Sequence, residues 1–231
     1  MRLLRPITLV LLLALAICPL LADGPDRPPL DVILLVQDSR HTYLPLLGTG
    51  FRALRRDDRI ALITFAKRPR LRVPLTEDHQ KVATVVRGIV LHSFNSSLRR
   101  KPQSHLWDAL EDVCGRFPSK DGTRRRAVIV LFADQDNSSQ ATFESAGRAL
   151  VQSQVTLSAA VVVKREPVSW LEHQVQTPPI IGPASVPVIE KWGMIPEATL
   201  TGITKLAAQT QGLVLRDEWN LTKLIDRIRA R

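Results

Sequence analysis

Residues 31–38, Asp-Val-Ile-Leu-Leu-Val-Gln-Asp, constrain the fold more than any other stretch of the chain. The run from Val32 to Val36 is apolar at both parities, so both of its faces must be buried. An antiparallel strand with one wet face alternates; a central strand of a parallel sheet covered on both sides does not. The run ends on Asp38, followed by Ser39, Arg40, His41 and Thr42. In an open α/β sheet the loops at the carboxyl ends of the strands form the binding crevice, so Asp38 is a candidate site residue.

The remaining pattern agrees with such a sheet. Residues 60–65 and 127–132 read as further buried strands and 155–163 as a fourth, while 71–75 alternates like an edge strand. Helical spacing appears in 43–54 through Leu44, Leu47, Phe51 and Leu54, with Gly48 and Gly50 weakening it. Thr76 is placed to cap the next helix, with Glu77 and Asp78 in its first turn and Val82, Val85, Val86, Ile89 and Val90 as its buried stripe. Ser104 opens a helix with Leu106, Leu110, Val113 and Phe117 facing inward, and residues 139–152 form another. Residues 199–210 are helical and closed by Gly212. A short strand at 213–215 precedes a last helix with Leu221, Leu224, Ile225 and Ile228 inward. Alternating strands and helices give a doubly wound, mostly parallel sheet with helices on both faces.

Two segments stand outside this pattern. Residues 1–22 carry Arg2 and Arg5 before a short apolar run with small residues behind it, the pattern of a secretory signal peptide. Residues 23–30 read as a linker, and the domain as 31–231. Residues 164–197 are proline-rich and without period, an excursion from the domain. If Cys18 leaves with the signal, Cys114 is the remaining cysteine and no intrachain disulfide is available.

The chain has a formal charge of +10, and removing residues 1–22 takes away two arginines and no acid, leaving +8. That balance favours an acidic partner: an acidic protein, an acidic glycan or anionic lipid heads, with nucleic acid disfavoured for an exported protein. Enzymatic signatures are missing. Asp38, Ser39 and His41 are too close in sequence for a triad, whose members must converge in space. No zinc-ligand spacing, phosphate loop or dinucleotide fingerprint occurs.

Three loops supply oxygen ligands: Asp38 and Thr42 after the first strand, Ser104 before its helix, and Asp134 after the third buried strand. Carboxylates with hydroxyls suit a hard divalent cation such as Mg²⁺. In order along the chain, Asp38-Ser39-Arg40-His41-Thr42, the strand at 58–65, the turn at 74–78, Ser104-His105-Leu106-Trp107-Asp108-Ala109-Leu110 and residues 133–139 resemble the von Willebrand factor type A domain. The exported single-domain layout is similar to that of bacterial members called VWFA-related. The resemblance spans roughly residues 31–231. It implies a Rossmann-like three-layer sandwich with one antiparallel edge strand, here 71–75. It also implies a protein-binding, adhesion-type role through a metal-ion-dependent adhesion site, with Asp38, Thr42, Ser104 and Asp134 as metal ligands. One position departs from the family pattern: Arg40 stands where a metal-site serine belongs, and a guanidinium cannot ligate a cation. It can take the cation's place between Asp38 and Asp134, leaving a degenerate site. The same rim is expected to carry Arg40, His41, Lys67, Arg68, Arg99, Arg100 and Lys101 as partner-binding residues, and residues 124–126 are expected on the opposite rim. A metal-free polyanion-binding surface is the alternative reading.

Overall fold

The computed structural model describes residues 27–38, 50–95, 104–118, 123–132, 136–161, 197–216, 218 and 220–230; for 90–95 it describes the helical backbone alone. The expected signal peptide, most of the helix expected at 43–54 and nearly all of the excursion at 164–197 lie outside these residues.

Strand β1 (Leu30–Gln37) is flanked by parallel neighbours on both sides, β2 (Arg59–Phe65) and β4 (Arg125–Phe132). The sheet continues from β4 to β5 (Val155–Val161) and β6 (Val214–Arg216), and from β2 to β3 (Arg70–Thr76), in the order β3-β2-β1-β4-β5-β6. Only β3 is antiparallel, and its register on β2 is broken by irregularities. The strand order reverses between β1 and β4, which places the crevice of an open sheet at the end of β1.

The two parities of β1 enter two cores. Val32 and Leu34 pack under α1 (His79–Asn95), α5 (Leu221–Arg229) and the 3-10 turn Phe51–Ala53. Ile33 and Leu35 pack under α2 (Leu106–Cys114) and α3 (Phe143–Gln152), with α4 (Glu197–Gln209) completing that face. All four of Leu221, Leu224, Ile225 and Ile228 are buried, as their spacing predicts.

Local details correct several expectations. Asp78, not Thr76, caps α1: its Oδ1 accepts from the Lys81 amide at 2.9 Å, while Thr76 Oγ1 accepts from the Asp78 amide. Helix α2 starts at Leu106, two residues after Ser104, and α3 starts at Phe143 behind the capping box of Thr142 and Ser145 rather than at Ser139. The left-handed residue that ends α4 is Gln211 (φ 65°), with the Gly212 amide reaching back to the Ala207 carbonyl at 2.6 Å. Gly50 is needed for contact: a Cβ there would lie 2.2 Å from the Cβ of Leu221.

The amino-end rim is closed by ion pairs. Asp31 accepts from Arg59 at 2.8 and 2.6 Å and from Arg124 at 2.7 Å. Asp58, fully buried, accepts from the amides of Leu30 and Arg55 and from Arg229. Arg125 donates to the Ile228 carbonyl at 2.6 Å, covering the open carboxyl end of α5. Residues 124–126 therefore lie on the rim expected of them, engaged by buried acids, carbonyls and the Phe117 ring.

Candidate functional site

At the opposite rim, hydrogen bonds from the strand ends tie three loops together. The Asp38 amide donates to the Phe65 carbonyl at 2.7 Å, continuing the β1–β2 ladder one residue past the strand. The next carbonyl, Ala66, accepts from the His105 amide at 3.0 Å and so draws the entry of α2 over the end of β2. Ser104 is in turn paired with Asn137: its amide donates to Asn137 Oδ1 at 3.0 Å and its carbonyl accepts from the Asn137 amide at 3.2 Å. Asp38, Ser104 and the loop after β4 are thereby held at one end of the sheet.

The loop after β4 is further fixed to α2. Asp108 accepts from the amides of Gln140 (3.0 Å) and Ala141 (2.7 Å), and Ser139 Oγ accepts from the amides of Trp107 and Asp108. His105 Nδ1 lies 3.0 Å from Asp108 Oδ2. Burial alone would raise the Asp108 carboxyl, but the amide of Ala141, the His105 ring and the amide of Gln140 outweigh it and hold it below the ordinary carboxylate range. Asp108 is thus a structural acceptor at the α2 entry.

Ser104 is fully buried, and its Oγ has no hydrogen-bond partner among the described residues. Left without a ligand or a water, a buried hydroxyl of this kind costs roughly 1–3 kcal/mol. Asp38 is 42% exposed on its side chain. Among the described residues its ion-pair partner is Arg72 on β3, whose Nη2 lies 3.8 Å from Asp38 Oδ2 and whose Nε donates to Thr64 Oγ1 at 2.9 Å. Lys67 and Arg68 are exposed on the turn between β2 and β3, at the same rim. Thr42, Asp134, Arg40, His41, Arg99, Arg100 and Lys101 lie outside the described residues. Among those described, no group of three or more His, Cys, Asp or Glu side chains could hold a metal ion. Asp38 and Ser104 fit a hard cation in donor chemistry, one carboxylate and one hydroxyl, with the remaining donors to come from elsewhere.

Sequence reasoning missed Arg72 and Asn137. Asn137 was visible only as part of an Asn-Ser-Ser triplet, and nothing local marks it as the partner of Ser104. Arg72 is one of several basic residues on an edge strand, and only the cross-strand register brings it to Asp38.

Comparison with known proteins agrees with this fold. The family described as von Willebrand factor type A domain matches residues 37–137. No curated protein matches the chain. Among solved structures, an aerotolerance-related membrane protein from Bacteroides fragilis superposes with a TM-score of 0.60 at 14% identity, covering 87% of this chain and 100% of that one. The protein BatB from Bacteroides thetaiotaomicron gives 0.58 at 16% identity, with coverage of 87% and 100%. Proximal thread matrix protein 1 from the mussel byssus, with a zinc-occupied MIDAS motif, gives 0.55 at 11% identity, with coverage of 88% and 47%. No helix among the described residues is long and apolar enough to cross a membrane.

Proposed function

The chain carries a von Willebrand factor type A domain, and from that premise we propose that it is an exported, adhesion-type binding module rather than an enzyme, engaging an acidic protein at the carboxyl-end rim of its sheet. The observation that supports this reading is the buried, unpartnered hydroxyl of Ser104, held by Asn137 beside the strand end that carries Asp38. With Thr42 and Asp134, these are the residues that would hold Mg²⁺. A bound cation would offer a coordination position to a carboxylate of the partner.

With Arg40 the site would be degenerate: its guanidinium would take the cation's place, and with His41, Lys67, Arg68, Arg99, Arg100 and Lys101 it would give the rim a positive field for an acidic partner. The metal-free reading, a polyanion-binding surface, is favoured by the turn and edge strand at 66–76, which hold Lys67, Arg68, Arg70 and Arg72 and no acid.

Polyglutamate is a suitable probe. Binding at physiological salt is expected to survive chelator in the wild-type chain and to fall several-fold in Lys67→Gln/Arg68→Gln. Arg56→Gln, an exposed cation beside the amino end of β2, should leave it unchanged. Loss on chelation would restore the ordinary metal-dependent site; equal losses per charge removed in the two variants would reduce the effect to net charge.

A further inference from the structure

Arg72 stands on the antiparallel edge strand, in a place no metal-site motif assigns. Its strand pairs Arg70 with Thr64, Leu71 with Ile63 and Val73 with Leu62, so Arg72 is the extra residue at the register shift and reaches back to Thr64 near the end of β2. Thr64 is itself paired with Val36 of β1, two residues before Asp38. From there the Arg72 Nε donates to the hydroxyl of Thr64, a residue only 1% exposed, and Nη2 reaches to 3.8 Å from the Asp38 carboxylate.

An exposed ion pair is ordinarily worth little, in part because two long side chains must be ordered to make it. Here the guanidinium is also held by the buried Thr64 hydroxyl, which lowers the ordering cost of keeping the cation beside Asp38. A guanidinium has donors only and never loses its charge. It can neutralise Asp38, but a divalent cation bound to that carboxylate would sit within a few ångströms of a fixed positive charge.

We propose that Arg72 is a counter-ion of Asp38, tethered through Thr64, that sets the divalent-cation affinity of this rim. The inference rests on reading the rim as the site, and it adds a second guanidinium, independent of Arg40, that opposes metal. Lys67 and Arg70 are exposed on the same hairpin and make no ion pair with Asp38, so they act only through the general field.

The test is Mn²⁺ titration by calorimetry on the full chain in the Arg40→Ser background. Adding Arg72→Gln should tighten Mn²⁺ binding on the order of tenfold, the effect of removing one charge about 6 Å from a doubly charged ion in water. Adding Lys67→Gln, which removes the same charge from the same hairpin, should change affinity less than about twofold, as expected for a more distant, screened charge. Thr64→Val, which keeps the guanidinium but cuts its tether, should give a gain between the two. Equal gains from Arg72→Gln and Lys67→Gln would overturn the proposal, as would no gain, or no Mn²⁺ binding in any variant. Because the probe is the metal alone, these outcomes are separate from polyglutamate binding, which can succeed or fail on its own.

Discussion

Buried acids and a buried hydroxyl stand at the two rims. Asp31 and Asp58 are surrounded by donors, whereas the Ser104 hydroxyl has no partner among the described residues, nor has Arg229 Nε at the amino end. Satisfied groups hold structure; at the carboxyl-end rim the free Ser104 hydroxyl, beside Asp38, is where a ligand would act if the rim is the site. Cys114 belongs with the satisfied groups. It is partly buried on α2, its thiol donates to the Leu110 carbonyl at 3.2 Å, and burial pushes its pKa up to about 11. At pH 8 the reactive thiolate is then about one part in a thousand. Iodoacetamide should label Cys114 in the folded chain at least tenfold more slowly than in urea, measured by peptide mass spectrometry. Equal rates would mean the site opens freely. Asn220 shows how local motifs mislead at this scale: as part of Asn-Leu-Thr it looks like a glycosylation triplet, yet its side chain accepts from the Lys223 amide at 2.9 Å and caps α5.

At the scale of elements, glycine separates what period shows from what packing demands. Gly88 lies exposed in the middle of α1 with nothing within 4 Å of a Cβ added there. Gly212 follows α4, and its added Cβ would fall 1.6 Å from the Leu157 carbonyl oxygen. The same substitution should therefore have opposite signs. Gly88→Ala should stabilise the chain by about 0.5–1 kcal/mol through helix propensity. Gly212→Ala should cost at the upper end of roughly 1–3 kcal/mol, because the obstructing atom is backbone. Urea midpoints of the two variants measure both, and a shift of the same sign in each would refute the assignment. Edge strand β3 follows a different rule. Arg70 and Arg72 are exposed and Pro74 lacks an amide proton, features that discourage pairing with another chain. On this strand the same positive charges guard the edge and furnish the rim.

Across the whole molecule, charge is divided between the rims. The amino end binds Arg59, Arg124, Arg125 and Arg229 to Asp31, Asp58 and the carbonyls ending α5; at the carboxyl end Lys67, Arg68 and Arg70 are exposed and make no ion pair among the described residues. Exposed cations stand at the amino end too, Arg56 among them, so what distinguishes the carboxyl-end hairpin is a run of cations with no acid in residues 66–76. Burial pushes the Asp31 carboxyl up, but Arg59 and Arg124 outweigh it and hold it below the ordinary range. A carboxyl depressed in the folded state contributes stability above its unfolded pKa of about 3.9. That contribution is lost as pH falls through the folded value. Thermal stability of the wild-type chain should fall below about pH 4, and Asp31→Asn should be less stable at pH 7 while falling less steeply in acid. Parallel acid curves for the two would show that Asp31 is not a source of the acid sensitivity.

The fold class was legible because periodicity is a local property. A run apolar at both parities can only be a strand covered on both faces, and the stripe of Leu221, Leu224, Ile225 and Ile228 can only face a core. Asp38 and Ser104 were legible as site candidates for the same reason: each follows or precedes an apolar element whose end can be read from the sequence. Tertiary structure alone decided which groups meet. The pairing of Ser104 with Asn137, the tether from Thr64 through Arg72 to Asp38, and the clamp of Asp58 on Arg229 span 33, 8 and 171 residues at most between hydrogen-bonded partners. No spacing rule connects such partners, because they are brought together by sheet order and by an irregular antiparallel register. Whether a buried polar atom is satisfied depends on those partners, and so the chemistry of the rim emerged only when the chain was folded.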